Sequence, residues 1–341
     1  MDRQRLYWTK CSHELRSWET ETTLVGNENY ALENRLQSSY IKFVKFGRRL
    51  QFENMKNLLL LALCAIALLS GCKKDDPEET TPAPKLIFKF VFDENQVRYD
   101  SFGQVSEVPD GHAAQSPRFN AMSAHYLELS PNAQTWLGDG EVLYEGPSTS
   151  AGGEEAIDFD QAKLVGQNEQ WVSFPISSVA PGSYEFARVS LSYQNFDIDF
   201  LASGLNLEGT FAGFIGFNTY INSYQINNQT VAVNENKSQG YWGFETLDQY
   251  ITGQAPAGAT TVVNPIWDSS PIPAGSCLVT GVFSEPFTIS GNETQDIIVT
   301  LSLSVNNSFE WVEVNEDGLY EPQAGENVVD MGIRGMVPIV N

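Results

Sequence analysis

Apolar residues recur at every second position along many short segments of this chain, and this period of two restricts its fold more than any other feature. In the first such segment, residues 86–92, the side chains on one face are all large and apolar: Leu86, Phe88, Phe90 and Phe92. Because side chains on a β-strand point alternately to its two faces, this pattern predicts a half-buried strand. After residue 72 no segment shows helical periodicity over three turns, and turn signals such as 109–111 separate the strands. We therefore predict an all-β fold, either a single large β-sandwich or an open β-barrel.

Two further segments predict which side chains share a face. Near the end of the run 184–200, one face carries three apolar residues: Phe196, Ile198 and Phe200. The opposite face at that point carries Asp197 and Asp199. In the run 122–129 the same alternation assigns four residues to one face: Met122, Ala124, Tyr126 and Glu128.

A single long apolar run, residues 58–69, follows Lys56 and ends just before Cys72. A positive residue, an apolar stretch of this length and small residues before a cysteine are typical of a secretory signal. The run is shorter than the roughly 20 apolar residues that a membrane-spanning helix needs. The residues Leu-Ser-Gly-Cys at 69–72 resemble the lipobox of bacterial lipoproteins. That resemblance implies cleavage before Cys72, acylation of Cys72, and membrane binding through its acyl chains.

The lipobox divides the chain into four parts. Residues 55–71 are predicted to be the signal peptide, 72–85 an acidic, proline-rich tether, and 86–341 the all-β domain. We interpret residues 1–54 as an upstream extension from a wrongly assigned start codon. The alternative is a genuine cytoplasmic tail followed by an uncleaved anchor. The residues Lys-Lys-Asp-Asp at 73–76 resemble the short export signals of Bacteroidota lipoproteins, which predicts an outer-membrane, cell-surface location.

The chain is strongly acidic, with 43 acidic and 20 basic residues and a net charge of −23. From Cys72 onwards there are 36 acidic and 10 basic residues, a net charge of −26. Between residues 189 and 333 the only basic residue is Lys237. Because nucleic-acid phosphates are bound by lysine and arginine, this composition argues against a nucleic-acid partner. The charge favours solubility and is compatible with divalent cations or cationic partners.

Cysteine usage bears on cross-linking of the mature part. Cys11 and Cys64 fall in segments that processing would remove, and Cys72 is the predicted lipid site. Cys277 lies in a strand-like segment, so we expect an unpaired, buried thiol there.

Two histidines, His112 and His125, follow the predicted cleavage site and are candidate copper ligands, since imidazole suits copper. Some Bacteroidota surface lipoproteins bind copper with two histidines and an oxidised tryptophan, and His112, His125 and Trp136 resemble that set. The Arg-Tyr-Tyr strand motif of those proteins is absent from this sequence. Copper is therefore one candidate cofactor.

Acidic turns and strand faces offer a second kind of cation site. Calcium takes six to eight oxygen ligands, many of them carboxylates. The candidate residues are Asp197 and Asp199 on one strand face and Asp317 in the turn 315–317. None of these clusters has the EF-hand spacing, and a solvated acidic face is the alternative interpretation.

No Gly-x-Ser-x-Gly, His-Glu-x-x-His or P-loop motif is present, so the sequence favours a non-enzymatic domain that binds a ligand or partner. The alternatives are a metal-binding surface lipoprotein, with copper or calcium, and a carbohydrate-active hydrolase. The closing residues 325–335 resemble those of uncharacterised flavobacterial lipoproteins, which implies a location but no activity. Arg334 in that segment is expected to pair with Asp330 or Glu326.

Overall fold

A computed structural model describes residues 83–100, 103–255 and 276–341. These residues belong to one of two compact units, and residues 21–82, the other unit, lie outside the described residues. The fold is all-β, as predicted. The described residues form eighteen strands, and their bounds are β1 Lys85–Asp93, β2 His112–Gln115, β3 Arg118–Ser130, β4 Glu141–Glu145, β5 Ser148–Thr149, β6 Ala156–Asp158, β7 Gln170–Pro175, β8 Gly182–Ala202, β9 Leu205–Phe214, β10 Asn218–Gln225, β11 Thr230–Ser238, β12 Tyr241–Thr246, β13 Gln249–Gln254, β14 Cys277–Ile289, β15 Ile297–Ser304, β16 Phe309–Val312, β17 Val328–Asp330 and β18 Met336–Val340.

The 21-residue strand β8 organises the largest sheet. That sheet has the order β13-β12-β9-β8-β3-β4, and β14 also pairs with β8. Strand β14 pairs with residues 182–191 of β8, whereas β9 pairs with residues 193–202. Strand β8 therefore pairs first with β14 and then with β9 along its length. Strand β3 also pairs with β8.

A second sheet covers one face of this one and completes a sandwich. It has the order β18-β15-β1-β7, and β1 runs parallel to β15. The predicted apolar face of β1 is confirmed, because all four of its residues are buried: Leu86, Phe88, Phe90 and Phe92. They pack against Leu127 and Leu129 of β3 and Val189 and Leu191 of β8 in the main core. Burying such side chains contributes about 1.5–3 kcal/mol each relative to exposure.

Two smaller sheets pack near the far end of β8. The three-stranded sheet β17-β16-β2 shares an aromatic core with β8 and β9, which includes Phe196, Phe211, Phe309, Trp311 and Tyr320. The four-stranded sheet β11-β10-β6-β5 belongs to a third core that contains Tyr193, Phe214 and Tyr224. The end of β8 thus lies between elements that are distant in sequence.

The prediction of which β3 side chains share a face is wrong in part. Pairing between β3 and β8 shifts register between Ser123 and Ala124 and again between Ala124 and Tyr126. An extra residue in one strand reverses the side-chain alternation beyond it. Met122 and Ala124 therefore join Leu127 in the main core, while Tyr126 packs with Leu137 in a separate cluster.

Two further observations concern Cys277 and membrane-spanning helices. Cys277 is buried in β14 as expected. It takes part in a disulfide in the full chain, whereas the expectation of an unpaired thiol concerns the chain after processing and stays a prediction. In the part of the chain that the structure describes, no helix has the length and apolarity needed to cross a membrane.

Candidate functional site

A groove opens beside the β8–β9 hairpin, between the hairpin and the segment 318–320. Its volume is about 580 Å³, within the range of about 300–1,000 Å³ that is usual for small-molecule sites. Carboxylate, amide and apolar groups all contribute to its wall. The residues that the following paragraphs use are Gln115, Asp199, Leu201, Asn206, Glu208 and Leu319.

The hairpin places these groups on one face by its register. Ser203 and Gly204 form its two-residue turn, and both have the left-handed backbone angles that a type I′ turn requires, with φ of 53° and 75°. Beyond the turn, Leu201 pairs with Asn206, and Asp199 pairs with Glu208. Directly paired residues and residues two apart on a strand share a face, so these four side chains lie on the same side of the hairpin.

Arg118 of β3 binds both carboxylates of this face. Its guanidinium donates to the two carboxylate oxygens of Asp199 at 3.0 and 3.1 Å and to Glu208 Oε2 at 2.7 Å. The hydrogen bond to Asp199 is the main cause that raises the pKa of Arg118 above its ordinary value. All three side chains are about half exposed or more, at 49%, 68% and 60%. Two carboxylates share one guanidinium, so the face keeps a net charge of −1.

The free edge of β8 at this point is closed by polar contacts. The side chain of Gln115 pairs with the backbone of Asp199, donating to its carbonyl at 2.8 Å and accepting from its N–H at 2.9 Å. The backbone N–H of Leu201 donates to the carbonyl of Tyr320 at 2.8 Å. The hydrogen bond between Leu201 and Tyr320 fixes the segment 318–320 beside the hairpin, and the groove lies between them.

Asp197 and Asp199, predicted to share a face opposite Phe196 and Phe200, do so, and the two phenylalanines are buried. Asp197 accepts a hydrogen bond from Thr210 Oγ1 at 2.6 Å, whereas Asp199 binds Arg118. The structure therefore gives each of the two carboxylates its own protein donor.

Asp317 lies in an acidic loop, residues 313–326, next to the groove residue Leu319. Asp317 Oδ1 accepts a hydrogen bond from the backbone N–H of Leu319 at 2.9 Å. Within the same loop, buried Glu326 accepts from the backbone N–H groups of Val314 at 3.1 Å and Glu321 at 2.6 Å.

Glu313 and Glu326 of this loop interact with one another. Burial raises the pKa of Glu326, and the neighbouring Glu313 raises it further. Burial opposes ionisation of Glu313 as well, but hydrogen bonds from Glu326, Trp311 and the backbone lower its pKa below the ordinary value. The two carboxyl groups thus influence each other, and the pKa of Glu326 is raised while that of Glu313 is lowered.

His112 belongs to a buried charged cluster centred on Glu310 of β16. Its Nδ1 lies 2.5 Å from Glu310 Oε1. Glu310 Oε2 accepts from Arg98 and, at 2.8 Å, from Arg334 Nη2. Arg334 Nη1 also pairs with Asp330 Oδ2 at 2.5 Å. The predicted pairing of Arg334 with Asp330 is therefore confirmed, and Glu310 is an additional partner that the sequence did not suggest.

His125 lies in β3, in a different sheet from His112. Both of its ring nitrogens are buried and have no hydrogen-bond partner in the described residues. Burial lowers the pKa of His125 to about 4, and its ring packs edge-on against Phe217. His112 thus contacts Glu310 and His125 contacts Phe217, in different sheets. The copper hypothesis stays a prediction.

Within residues 83–100, 103–255 and 276–341, no group of three or more His, Cys, Asp or Glu side chains is arranged to hold a metal ion. Trp136 is 58% exposed on a loop, whereas three other tryptophans are buried: Trp171, Trp242 and Trp311. Cys72, the predicted lipid site, lies outside the described residues.

Comparisons of the chain with protein-family models, with curated proteins and with solved structures find no match. The fold and the site define an acidic, all-β sandwich domain with an open groove that combines apolar and negatively charged groups.

Proposed function

We propose that this chain is a non-enzymatic, lipid-anchored binding protein on the outer face of the cell, and that the groove beside Asp199 and Glu208 is its ligand site. The observation that carries the proposal is the groove itself, in which charged, amide and apolar groups surround an open volume of about 580 Å³. The described residues that line it combine the carboxylates of Asp199 and Glu208 with apolar groups such as Leu201 and Leu319, a mixture that suits the binding of an amphiphilic ligand.

The hydrolase alternative needs one carboxylic acid that holds a proton and a second carboxylate that stays ionised. In the groove, both Asp199 and Glu208 form ion pairs with Arg118. The hydrogen bonds from Arg118 occupy oxygens of both carboxylates, which a hydrolase would keep free for its substrate. This arrangement supports a binding role.

A substitution that fills the groove is expected to abolish ligand binding. Asn206→Trp places an indole on the face that carries Asp199, so small amphiphilic molecules that bind the full chain should lose at least tenfold in affinity. Saturation-transfer NMR with a fragment library, followed by titration, measures this.

Leu205→Trp is the matched control, because Leu205 is the neighbouring residue on the same strand, is 61% exposed and does not line the groove. Fragments should bind this variant as they bind the wild type. Fragment binding that survives in Asn206→Trp, or no fragment binding to the wild type, would contradict the assignment of the groove.

Anchoring depends on Cys72 in this proposal. In a bacterial host that processes lipoproteins, the full chain should incorporate an alkyne-labelled fatty acid and partition with membranes, and Cys72→Ser should lose both properties. Cys64→Ser is the control, because it changes a cysteine inside the apolar run without touching the lipobox. Equal labelling of wild type and Cys72→Ser would refute lipid attachment at this residue.

A second candidate function is calcium binding at the loop 313–326, and the interaction between the carboxyl groups of Glu313 and Glu326, which raises the pKa of Glu326, favours it. The sequence places Glu313, Asn315 and Asp317 at alternate positions before Gly318, which matches the start of a calcium-binding loop with glutamate in the first position. A calcium ion would offset the negative charge of both carboxylates.

Calcium is expected to raise the melting temperature of the full chain, since a ligand at 100 times its dissociation constant stabilises the folded state by about 2.7 kcal/mol. The effect should increase with pH, because raising the pH removes the proton that competes with calcium at Glu326. Scanning calorimetry at pH 5 and pH 8 tests this. In Glu326→Gln the calcium shift should vanish, and in Glu285→Gln, an exposed acid in β14, it should persist. A calcium shift that Glu326→Gln leaves unchanged would exclude this loop.

A further inference from the structure

The face of the β8–β9 hairpin that lines the groove contains a cation site, and the side chain of Arg118 occupies it. Asp199 and Glu208 are directly opposite one another on neighbouring strands, where two like charges destabilise a sheet. The guanidinium of Arg118 bridges them with three hydrogen bonds of 2.7–3.1 Å. The two carboxylates therefore form a clamp whose geometry accepts a guanidinium group.

The bridging guanidinium is held loosely enough to leave. The side chain of Arg118 is 49% exposed, and both carboxylates are more exposed still. Exposed ion pairs contribute little to stability, because water solvates the separated charges well and the long side chains gain freedom when released. A cation from outside can therefore replace Arg118 without opening the core.

The surroundings of the clamp select for more than charge. Leu201 lies on the same face as Asp199, two residues further along β8, and Leu319, which is 46% exposed, lines the groove as well. Asn206 and Gln115 add amide groups that can hydrogen-bond a polypeptide backbone. One end of the groove is thus negatively charged, and the neighbouring wall is apolar.

The local charge agrees with a cationic ligand. With Arg118 bound the face carries −1, and with Arg118 released it presents two carboxylates to an incoming group. Between residues 189 and 333 the only basic residue of the sequence is Lys237. That residue pairs with Glu235 at 2.6 Å and lies over the ring of Tyr241, outside the groove lining.

We infer that the groove recognises an arginine side chain of a polypeptide partner, whose guanidinium displaces Arg118 from Asp199 and Glu208 while an adjacent apolar residue of the partner contacts Leu201 and Leu319. This inference rests on the proposed binding function of the groove and names its ligand class. Arg118 acts as an internal competitor that holds the two carboxylates in position until the partner arrives.

The test uses the full chain and two peptides, acetyl-Leu-Arg-Leu-amide and the same peptide with citrulline, which keeps the shape of arginine but lacks its charge. Isothermal titration calorimetry at low and high salt is the measurement. The arginine peptide should bind at least tenfold more tightly than the citrulline peptide, and added salt should reduce the difference.

Three variants separate the roles of the residues. The double substitution Asp199→Asn with Glu208→Gln should weaken arginine-peptide binding at least tenfold. Arg118→Gln should strengthen it, by up to about fivefold, since the competitor is gone. Asp197→Asn, which removes a carboxylate that binds Thr210 on the same strand, should leave it unchanged. Circular dichroism of each variant shows whether the fold is retained.

Equal binding of the arginine and citrulline peptides, or weaker binding of the arginine peptide to Arg118→Gln, would overturn the inference. These outcomes are distinct from failure of the proposed function. If fragments bind the wild type and lose affinity in Asn206→Trp while the arginine peptide does not bind, the groove is a ligand site and only its cationic specificity is refuted. If the arginine peptide binds the wild type and Asn206→Trp equally, the peptide binds outside the groove and the inference is refuted, while the fragment experiment decides the proposed function.

Discussion

Glu310→Ala is expected to lower the free energy of unfolding of the full chain by about 3–5 kcal/mol, the usual effect of removing one partner from a buried ion pair. Glu310 is 4% exposed, and it accepts hydrogen bonds from Arg98 and Arg334, which are 7% and 4% exposed. Without its carboxylate the two guanidinium groups are left buried together, and the charge of Arg98 already opposes that of Arg334. Urea denaturation at pH 7 measures the loss.

The matched control is Glu208→Ala, which removes another glutamate that binds an arginine, but at a site where the side chain is 60% exposed. Its effect should be about 0–1 kcal/mol, because water screens an exposed ion pair. If Glu310→Ala and Glu208→Ala destabilise the protein equally, burial does not determine the contribution of Glu310, and the explanation is wrong.

The same network predicts a dependence on pH. Burial alone would raise the pKa of Glu310, but the hydrogen bonds from Arg98 and His112 and the charge of Arg334 lower it below its ordinary value of 4.5. A carboxyl group whose pKa is lower in the folded state contributes stability above 4.5, and this contribution is lost as the pH falls through the folded-state pKa. Protonation of Glu310 should therefore contribute to the loss of stability of the wild type below pH 4.5. In Glu310→Gln this contribution should be absent.

The sequence predicted the fold class because its information is local. The alternation in β1 and at the end of β8 identifies strands and their buried faces without knowledge of any partner strand, and the structure confirms both. The same reasoning failed at Tyr126, because a bulge depends on how β3 pairs with β8, a strand some 60 residues away. Local periodicity carries no signal for such a change of register.

The charged sites were harder to predict for the same reason. Glu310 binds Arg98 across 212 residues of sequence, and Arg118 binds Asp199 across 81. Asp199 could be selected as an exposed acid on a strand face, but nothing near it in sequence indicates Arg118. The scarcity of basic residues was the available signal, since an isolated arginine in an acidic chain is expected to bind more than one carboxylate.

Phe309→Ala is expected to destabilise the protein by about 3–5 kcal/mol, the usual cost of removing a fully buried phenylalanine. Phe309 is completely buried in β16, and its ring contacts four other aromatic rings, which belong to Phe196, Phe211, Trp311 and Tyr320. Its ring centre lies 5.2 Å from that of Tyr320, in an edge-on geometry that favours aromatic attraction. The cavity left by alanine removes all of these contacts at once.

Phe309→Ala should also weaken the binding of ligands in the groove. Tyr320 lines the groove, and its carbonyl accepts a hydrogen bond from the N–H of Leu201. If the ring of Tyr320 loses its packing against Phe309, the segment 318–320 is held less firmly beside the hairpin. Val312→Ala is the control, since Val312 lies on the same strand but is 38% exposed, and it should cost well under 1.5 kcal/mol and leave fragment binding intact. Phe309→Leu, which refills most of the cavity, should recover part of the stability. Loss of stability in Phe309→Ala with unchanged binding of fragments at 25 °C would show that the aromatic core supports the fold without positioning the groove.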